Sequence, residues 1–466
     1  MSRLNRVNRS ATAPLVPLPN DLLLSPHRER QLNGPHESFP ETVNIVQRVG
    51  FKLAMVYLFA VASLMSETSI HAFGFKPYVT MVFGPLAVAC GLISGGVRRA
   101  FSASPGFWLI GFALWLAFVA PFSVWRTGSL DLLGVFYLKS LPTYFMVAAF
   151  VVSRRNFRRF VYVLAASVVA ILFVALAYGH DTGGRFAISF GSFENPNDFS
   201  MHLVVLLPFL LFVHLNSRSL SPVRGLMATA IAASIFTIIQ TGSRSGAIGL
   251  AAVTCMIVAK ASPVQRVVLG FLFALSAVCA LVLLPSTLMQ RFETIFSPMS
   301  TRQELGPVRS DGTIGSNIGR FYLLRRSIRL TAENPLVGVG PGQFEVAESS
   351  IAEKEGGRGI GRGTHNSYTE VSSETGLIGL FLFVGTLFGC IRATNRVYKQ
   401  ARARRECAQL STLAFCLLAS LTGFAVNIIF CHVAYTYYLP MFTGMTVSLV
   451  RLAHWEIRKC EIPSLP

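Results

Sequence analysis

The stretch RRFVYVLAASVVAILFVALAY, from Arg158 to Tyr178, decides the class of fold. After two leading arginines it is almost entirely apolar. A helix of this length, rising about 1.5 Å per residue, crosses a hydrocarbon core of about 30 Å. The apolar run is continuous and shows no alternation of period two, so it predicts a transmembrane helix rather than a barrel strand. The lipid bilayer is therefore the expected solvent.

Comparable apolar runs recur along most of the chain. Including the first, we count 12, at approximately 51–66, 78–96, 106–124, 131–152, 158–178, 198–214, 224–241, 245–260, 266–285, 375–392, 409–429 and 433–452. The composition agrees, because 52% of the 466 residues are apolar and only 14% are charged, against roughly 25% charged in a soluble domain. We therefore predict an all-α polytopic membrane protein with about 12 transmembrane helices, and we exclude an ordinary soluble enzyme.

The positive charges of the chain are distributed by side of the membrane. If the N-terminus is cytoplasmic, the inner loops hold most of the Lys and Arg side chains, as the positive-inside rule requires. The short outer loops contain only Lys76, Arg126, Arg185 and Arg244. An even number of spans then returns the C-terminus to the cytoplasm. The formal net charge of +19 is thus mainly a topology signal, and nucleic-acid binding is not predicted.

The same pattern divides the chain into five segments. They are a disordered cytoplasmic tail (1–45), transmembrane helices 1–9 (46–285), a large and partly helical outer loop between spans 9 and 10 (286–374), transmembrane helices 10–12 (375–452) and a cytoplasmic tail (453–466). The first tail lacks the apolar run of a signal peptide. The eight cysteines include no CxxC pair, so neither a disulfide framework nor a zinc site is predicted.

Two short outer segments carry arginines, although the positive-inside rule disfavours arginine on that face. We therefore expect each of these arginines to have a local role. Arg185 lies in a polar segment at 179–198, which contains an Asn-Pro pair suited to the start of a helix. Arg244 lies in TGSRSG (241–246), which joins two spans with hardly any loop. This segment is either a small-residue turn with a snorkelling arginine or an anion clamp. A guanidinium beside the free N–H groups of a helix start suits a phosphate.

The large outer loop contains a helix-like stretch and a glycine-rich stretch. Residues 319–330 predict an amphipathic helix, with Phe321, Leu324 and Ile328 in one stripe and two arginines, four residues apart, on another face. Such a basic helix rests on lipid phosphates or lines a cleft for a lipid-linked diphosphate. The sequence GVGPG (338–342) lacks a preceding strand, and we do not predict a nucleotide site there.

His365 closes the large outer loop just before the chain re-enters the membrane. An isolated histidine is more often a packed or exposed residue than a catalytic one. This position, however, allows His365 to face the same outer cavity as Arg185 and Arg244. Its neutral form can accept a proton from a hydroxyl at neutral pH.

Four outer segments follow one another in a particular order. They are NPN at 195–197, TGSRSG at 241–246, GRFYLLRRSIRLTAENPLVGVGPGQF at 319–344 and THNSYTEVSSETGLIGL at 364–380. In their order, spacing and side of the membrane they resemble the bacterial O-antigen ligase and O-antigen polymerase family. The resemblance covers about 180–395.

The resemblance implies an inverting, metal-independent glycosyltransferase of the bacterial inner membrane that needs no cofactor. Such an enzyme transfers a glycan from undecaprenyl diphosphate to a glycan or lipid acceptor at the periplasmic face, as an O-antigen ligase or a surface polysaccharide polymerase. Family members carry essential arginines in the outer loops and an essential histidine near the end of the large one. By resemblance, these roles fall on Arg185, Arg244 and His365, with Arg320 as a further candidate for binding the diphosphate.

The outer carboxylates do not form the pattern of a metal site. A metal-dependent transferase would need a carboxylate pair such as DxD to hold Mg²⁺, and the outer loops contain none. We interpret Glu194, Asp198, Glu370 and Glu374 as capping or orienting groups. Arginines then take over the neutralisation of the departing diphosphate.

A lipid-linked glycan flippase or polysaccharide transporter is the main alternative function. Coupled transport usually requires carboxylates or paired charges in the middle of the membrane. The sequence indicates only Lys139 as a buried ionisable group. Together with the absence of a repeat between the two halves, this favours the enzyme.

Overall fold

A computed structural model of the chain describes residues 44–181, 184–260, 266, 316–357, 359 and 361–461. Several predicted segments lie outside the described residues. They are the N-terminal tail up to residue 43, the ninth apolar run beyond Arg266, residues 286–315 of the large outer loop and the end of the C-terminal tail.

The described residues form α-helices and one short β-hairpin. The helices are α1 (Ile45–Ala62), α2 (Met65–Phe73), α3 (Val79–Ile93), α4 (Gly96–Ala100), α5 (Ser104–Val119), α6 (Arg126–Val135), α7 (Leu141–Phe150), α8 (Arg154–Tyr178), α9 (Pro196–Asn216), α10 (Pro222–Gln240), α11 (Arg244–Lys260), α12 (Ser316–Glu333), α13 (Phe344–Lys354), α14 (Ser367–Arg402), α15 (Ala408–Asn427) and α16 (Tyr438–Glu461). A π-helical segment, Phe136–Ser140, joins α6 to α7. The hairpin pairs β1 (Gly179–Asp181) antiparallel with β2 (Phe186–Ile188) between α8 and α9.

The predicted apolar runs agree with the helices wherever the chain is described. Eight helical segments are long and apolar enough to cross a membrane: Ile45–Ala62, Ser104–Phe122, Arg126–Phe150, Arg154–Tyr178, Pro196–Asn216, Pro222–Gln240, Ser367–Arg402 and Arg405–Asn427. The apolar helix α3 is shorter, with 15 residues. The prediction of a mostly helical membrane protein is therefore confirmed. The number of 12 spans and the side on which each loop lies stay predictions.

The outer segments begin helices where their sequence favours a cap. Asn195 caps α9, because its side chain accepts a hydrogen bond from the backbone N–H of Asn197, and Pro196 occupies the first turn. Asn366 caps α14 in the same way, with its side chain accepting from the backbone N–H groups of Tyr368 and Thr369. The helix start predicted from the Asn-Pro pair is therefore confirmed.

Helix α14 lies at the centre of the described part of the chain, with α5, α12, α15 and α16 against it. Helix α15 in turn packs against α9 and α11. The ring of Phe112 on α5 lies 5.6 Å from that of Phe383 on α14 and stacks on that of Tyr435 at 6.4 Å, measured between centroids. This packing brings the start of α14 next to the loop between α15 and α16.

Helix α14 is bent at Gly376. The backbone of this residue has φ 71° and ψ −176°, outside the helical region. A Cβ atom at this position would lie 2.1 Å from the carbonyl oxygen of Leu336. Only glycine therefore allows the outer loop to approach α14 this closely.

The GVGPG segment has a structural role that explains its glycines without a nucleotide. The backbone N–H groups of Gly342 and Phe344 donate to the carboxylate of Glu374 at 2.7 Å and 3.1 Å. The hydroxyl of Tyr435 donates to the same carboxylate at 2.8 Å. Glu374 thus caps the start of α13 from α14, as expected of an orienting group, and fixes the loop to the membrane helices.

The amphipathic helix predicted at 319–330 is present in α12, but its buried residues are not those of the predicted apolar stripe. Phe321 is 45% exposed and Ile328 is 56% exposed, whereas Leu323 and Leu330 are buried. The buried pair packs on a small cluster of the outer loop, formed by Val339, Phe344 and Ala347. The contact with α13 selects this face, and helical periodicity alone does not predict that contact.

The interpretation of Lys139 as the evident buried ionisable group was also wrong. Lys139 is exposed on the helical surface, whereas Asp198 and Glu370 are half-buried and Glu374 is buried. Asp198 and Glu370 stand in the first turns of α9 and α14, where helix starts stabilise negative charge, and Glu374 follows Glu370 by one turn. The lack of buried carboxylates is therefore not an argument against a transporter.

Candidate active site

The TGSRSG segment forms a tight turn between α10 and α11. The hydroxyl of Ser243 donates to the side-chain oxygen of Asn197 at 2.9 Å and lies 2.9 Å from the hydroxyl of Ser245. A Cβ atom at Gly246 would lie 1.6 Å from the Ser200 hydroxyl oxygen, so α11 approaches α9 at a distance that only glycine permits. Arg244, half-buried, is the first residue of α11.

Arg185 lies against this turn, although 56 residues separate it from Thr241. Its Nε donates to the carbonyl oxygen of Thr241 at 3.0 Å, and its Nη2 donates to the side-chain oxygen of Asn197 at 2.8 Å. The backbone N–H of Arg185 donates to Asp181 at 3.1 Å, which fixes the hairpin end. The structure therefore brings Arg185 to the same turn as Arg244.

Arg320 lies near enough to His365 to lower the pKa of its imidazole. Arg320 is half-buried, and its burial lowers the pKa of its guanidinium, while nearby Cys431 acts in the opposite direction. Other arginines of α12 are tied to acidic side chains. Arg326 and Arg329 pair with Glu355, and Arg329 Nε also donates to Glu333 at 2.7 Å.

His365 is held in an unusual backbone conformation. Its φ is 50°, in the left-handed region that side chains other than glycine rarely adopt and that costs about 1–3 kcal/mol. The hydroxyl of Thr364 donates to the carbonyl oxygen of Asn366 at 2.9 Å, and Asn366 caps α14 directly after His365. The surrounding hydrogen bonds thus fix the backbone of His365 relative to α14.

His365 is a neutral imidazole at physiological pH. Burial lowers its pKa from the ordinary 6.5 to about 4, and the neighbouring His432, Arg320 and Arg362 act in the same direction. A cationic imidazole is disfavoured beside guanidinium groups and away from water. A neutral histidine can accept a proton, which is the state that a general base requires.

Cys431 connects the two sides of the site. This buried residue lies in the loop between α15 and α16, and its thiol is in hydrogen-bonding contact with Ser245 and Asp198. Arg320 interacts electrostatically with the same thiol. Polar and charged groups therefore extend from the turn that holds Arg244, past Cys431, to Arg320 and to His365, whose pKa Arg320 lowers.

Three helix starts meet at these polar groups. Asn197 in α9 accepts from Ser243, which directly precedes α11. Ser367, the first residue of α14, donates to the carbonyl oxygen of Cys431 at 2.7 Å. Each helix start carries a partial positive charge, although the first N–H groups of α9 and α14 are already paired with the caps Asn195 and Asn366. Together with the arginines, these starts make the region suited to a multiply charged anion.

Sequence reasoning did not single out two residues of the site, Cys431 and His432. The ring of His432 lies 5.0 Å from that of His365, between centroids, with the planes at 82°. The sequence CHVAY does place a histidine near an outer helix end. The neighbouring sequence does not indicate that His365 is its partner, because His432 follows His365 by 67 positions and two helices, α14 and α15, lie between them.

A family model matches part of the chain. Residues 228–384 match the family model described as O-Antigen ligase. The matched segment includes the TGSRSG turn, α12 and His365, whereas Arg185 and His432 lie outside it. No curated protein matches the chain.

Proposed function

We propose, from the match of residues 228–384 to the O-antigen ligase family model, that the chain is an inverting, metal-independent glycosyltransferase of that family. It transfers a glycan from undecaprenyl diphosphate to a glycan or lipid acceptor at the periplasmic face of the bacterial inner membrane. The family assignment supports a membrane enzyme of ligase or polymerase type. The donor, the stereochemistry and the side of the membrane are parts of the proposal.

The observation that carries the proposal is the polar connection between the arginine turn and the neutral histidine. Arg185 and Arg244 meet at the start of α11, and Cys431 links this turn to Arg320 and His365. Anion-binding groups and a proton acceptor thus share one region. Transfer from a diphosphate needs both functions, because negative charge develops on the leaving group while the acceptor loses a proton.

In the proposed reaction the acceptor oxygen attacks the anomeric carbon from the side opposite the diphosphate. The new carbon–oxygen bond forms while the bond to the diphosphate oxygen breaks, and its electron pair departs with undecaprenyl diphosphate. The hydroxyl proton of the acceptor moves to His365. Arg185 and Arg244 bind the departing diphosphate, with Arg320 as a further contact, and their charge replaces that of a metal ion.

Transfer by the purified protein, with no ion gradient, tests this function. We expect the protein in detergent with EDTA to move the glycan of an undecaprenyl-diphosphate donor to an acceptor glycan or lipid A core. The measurement is the gel shift of labelled product. A flippase in liposomes would instead move the donor across the bilayer without transferring its glycan. That result, with no transferase product, would contradict the proposal.

The pH dependence of transfer should report the lowered pKa of His365. At a pH below its pKa the imidazole is protonated and cannot act as a base. Because the pKa is about 4 rather than 6.5, we expect kcat/KM for the donor to stay constant from pH 7 to 5 and to fall near pH 4. An acidic limb centred near the ordinary histidine value would contradict the assignment.

A stability control belongs to the same pH series. Between pH 6.5 and 4, the unfolded chain binds a proton at His365 that the folded chain excludes. The stability of the fold therefore decreases as the pH falls through this window. Recovery of full activity after return to pH 7 separates reversible loss of the base from unfolding.

A further inference from the structure

The loop between α15 and α16 holds His432 in a fixed place. The hydroxyl of Ser367 donates to the carbonyl oxygen of Cys431 at 2.7 Å and accepts from the backbone N–H of Val433 at 2.9 Å. One side chain thus bonds the backbone on both sides of His432. Since Ser367 follows His365 by two residues, the same helix start fixes both histidines.

The two imidazole rings are in direct contact. Their centroids are 5.0 Å apart, a separation at which aromatic rings touch. The ring of His432 also covers the backbone before His365, because a Cβ atom at Gly363 would lie 2.9 Å from His432 Cδ2. Nδ1 of His432 is buried and has no hydrogen-bond partner among the described residues. A buried nitrogen without a hydrogen-bond partner lowers the stability of the fold, so its presence calls for an explanation.

Each round of the proposed reaction would leave a proton on His365. Arg320 and Arg362 disfavour the resulting cation, so the proton must leave before the next turnover. The other ionisable groups near the loop are engaged elsewhere. Asp198 contacts Cys431, and Glu370 accepts from the backbone N–H of Ala434 at 3.4 Å. The ring in contact with His365 is that of His432.

We propose that His432 is a positioning residue that resets the base: its neutral ring takes the proton from His365 after each transfer and releases it to water. The inference rests on the proposed function. The proton leaves a ring nitrogen of His365, where the electron pair of the N–H bond remains, and reaches a ring nitrogen of His432 through one bridging water. From the half-buried ring of His432 the proton then passes to water.

Variants at His432 with added imidazole test this role. We expect His432→Ala to lower kcat by about 10²-fold, the low end for a placed proton-transfer group, with the KM for the donor unchanged. Added imidazole should restore much of the rate, because a mobile base then takes the proton. His432→Phe keeps a ring of similar shape but cannot carry a proton, and it should show the same loss. The wild-type rate should not respond to imidazole.

Two outcomes would overturn the proposal. A His432→Phe variant with the wild-type rate would show that the ring acts only by packing. A loss of rate in both variants that imidazole leaves unchanged would show a structural role. These outcomes are distinct from failure of the proposed function, in which the wild-type protein itself transfers no glycan.

Discussion

Replacement of His365 by alanine is expected to lower glycan transfer by about 10²- to 10⁴-fold, the contribution of one placed general base. The acceptor hydroxyl would then have to lose its proton without a positioned acceptor. The fold should remain, because the cap by Asn366 and the hydrogen bonds of Ser367 do not use the imidazole. The measurement is the rate of product formation by purified protein of unchanged elution volume.

A second histidine on the same chain provides the matched control. His454 is exposed on α16, close to its C-terminal end. We expect His454→Ala to transfer glycan at the wild-type rate. If His365→Ala were as active as this control, the base would have to be another residue.

Replacement of Arg244 by alanine should lower kcat by about 10²- to 10³-fold, as for the loss of one donor that stabilises developing negative charge. Arg244 stands at the start of α11, where its guanidinium and the helix start act on the same anion. Arg244→Lys keeps the charge but loses the planar, bidentate donor. Its rate should therefore lie between those of the wild-type protein and Arg244→Ala.

Arg218 offers a control at the other end of α10. This residue is exposed in the connection between α9 and α10, away from the TGSRSG turn. Arg218→Ala should leave the rate unchanged under the same assay. Equal losses in Arg218→Ala and Arg244→Ala would indicate a general effect of charge rather than a diphosphate site.

The sequence predicts those features of this protein that depend on local chemistry. Apolar runs of the required length predict the helices, because a backbone in lipid must satisfy its hydrogen bonds within the segment. Asn195 and Asn366 lie directly before α9 and α14, where a cap is needed. The predicted topology places Arg185 and Arg244 in loops where arginine is uncommon, and this singles out both residues.

Features that depend on long-range packing could not be predicted from the sequence. Periodicity indicates that α12 has an apolar stripe, but only the contact with α13 selects Leu323 and Leu330 as the buried residues. His432 and Cys431 reach the site because α15 and α16 pack against α14. No local pattern in the sequence predicts that contact.

The most direct test of the central claim measures donor binding rather than turnover. In the proposed mechanism the arginines bind the diphosphate and His365 takes the proton. Binding of undecaprenyl diphosphate to purified protein should therefore weaken about tenfold or more, or about 1.4 kcal/mol, in Arg185→Ala and Arg244→Ala. His365→Ala should bind it with wild-type affinity although its glycan transfer is about 10²- to 10⁴-fold slower. Wild-type affinity in both arginine variants would contradict the account.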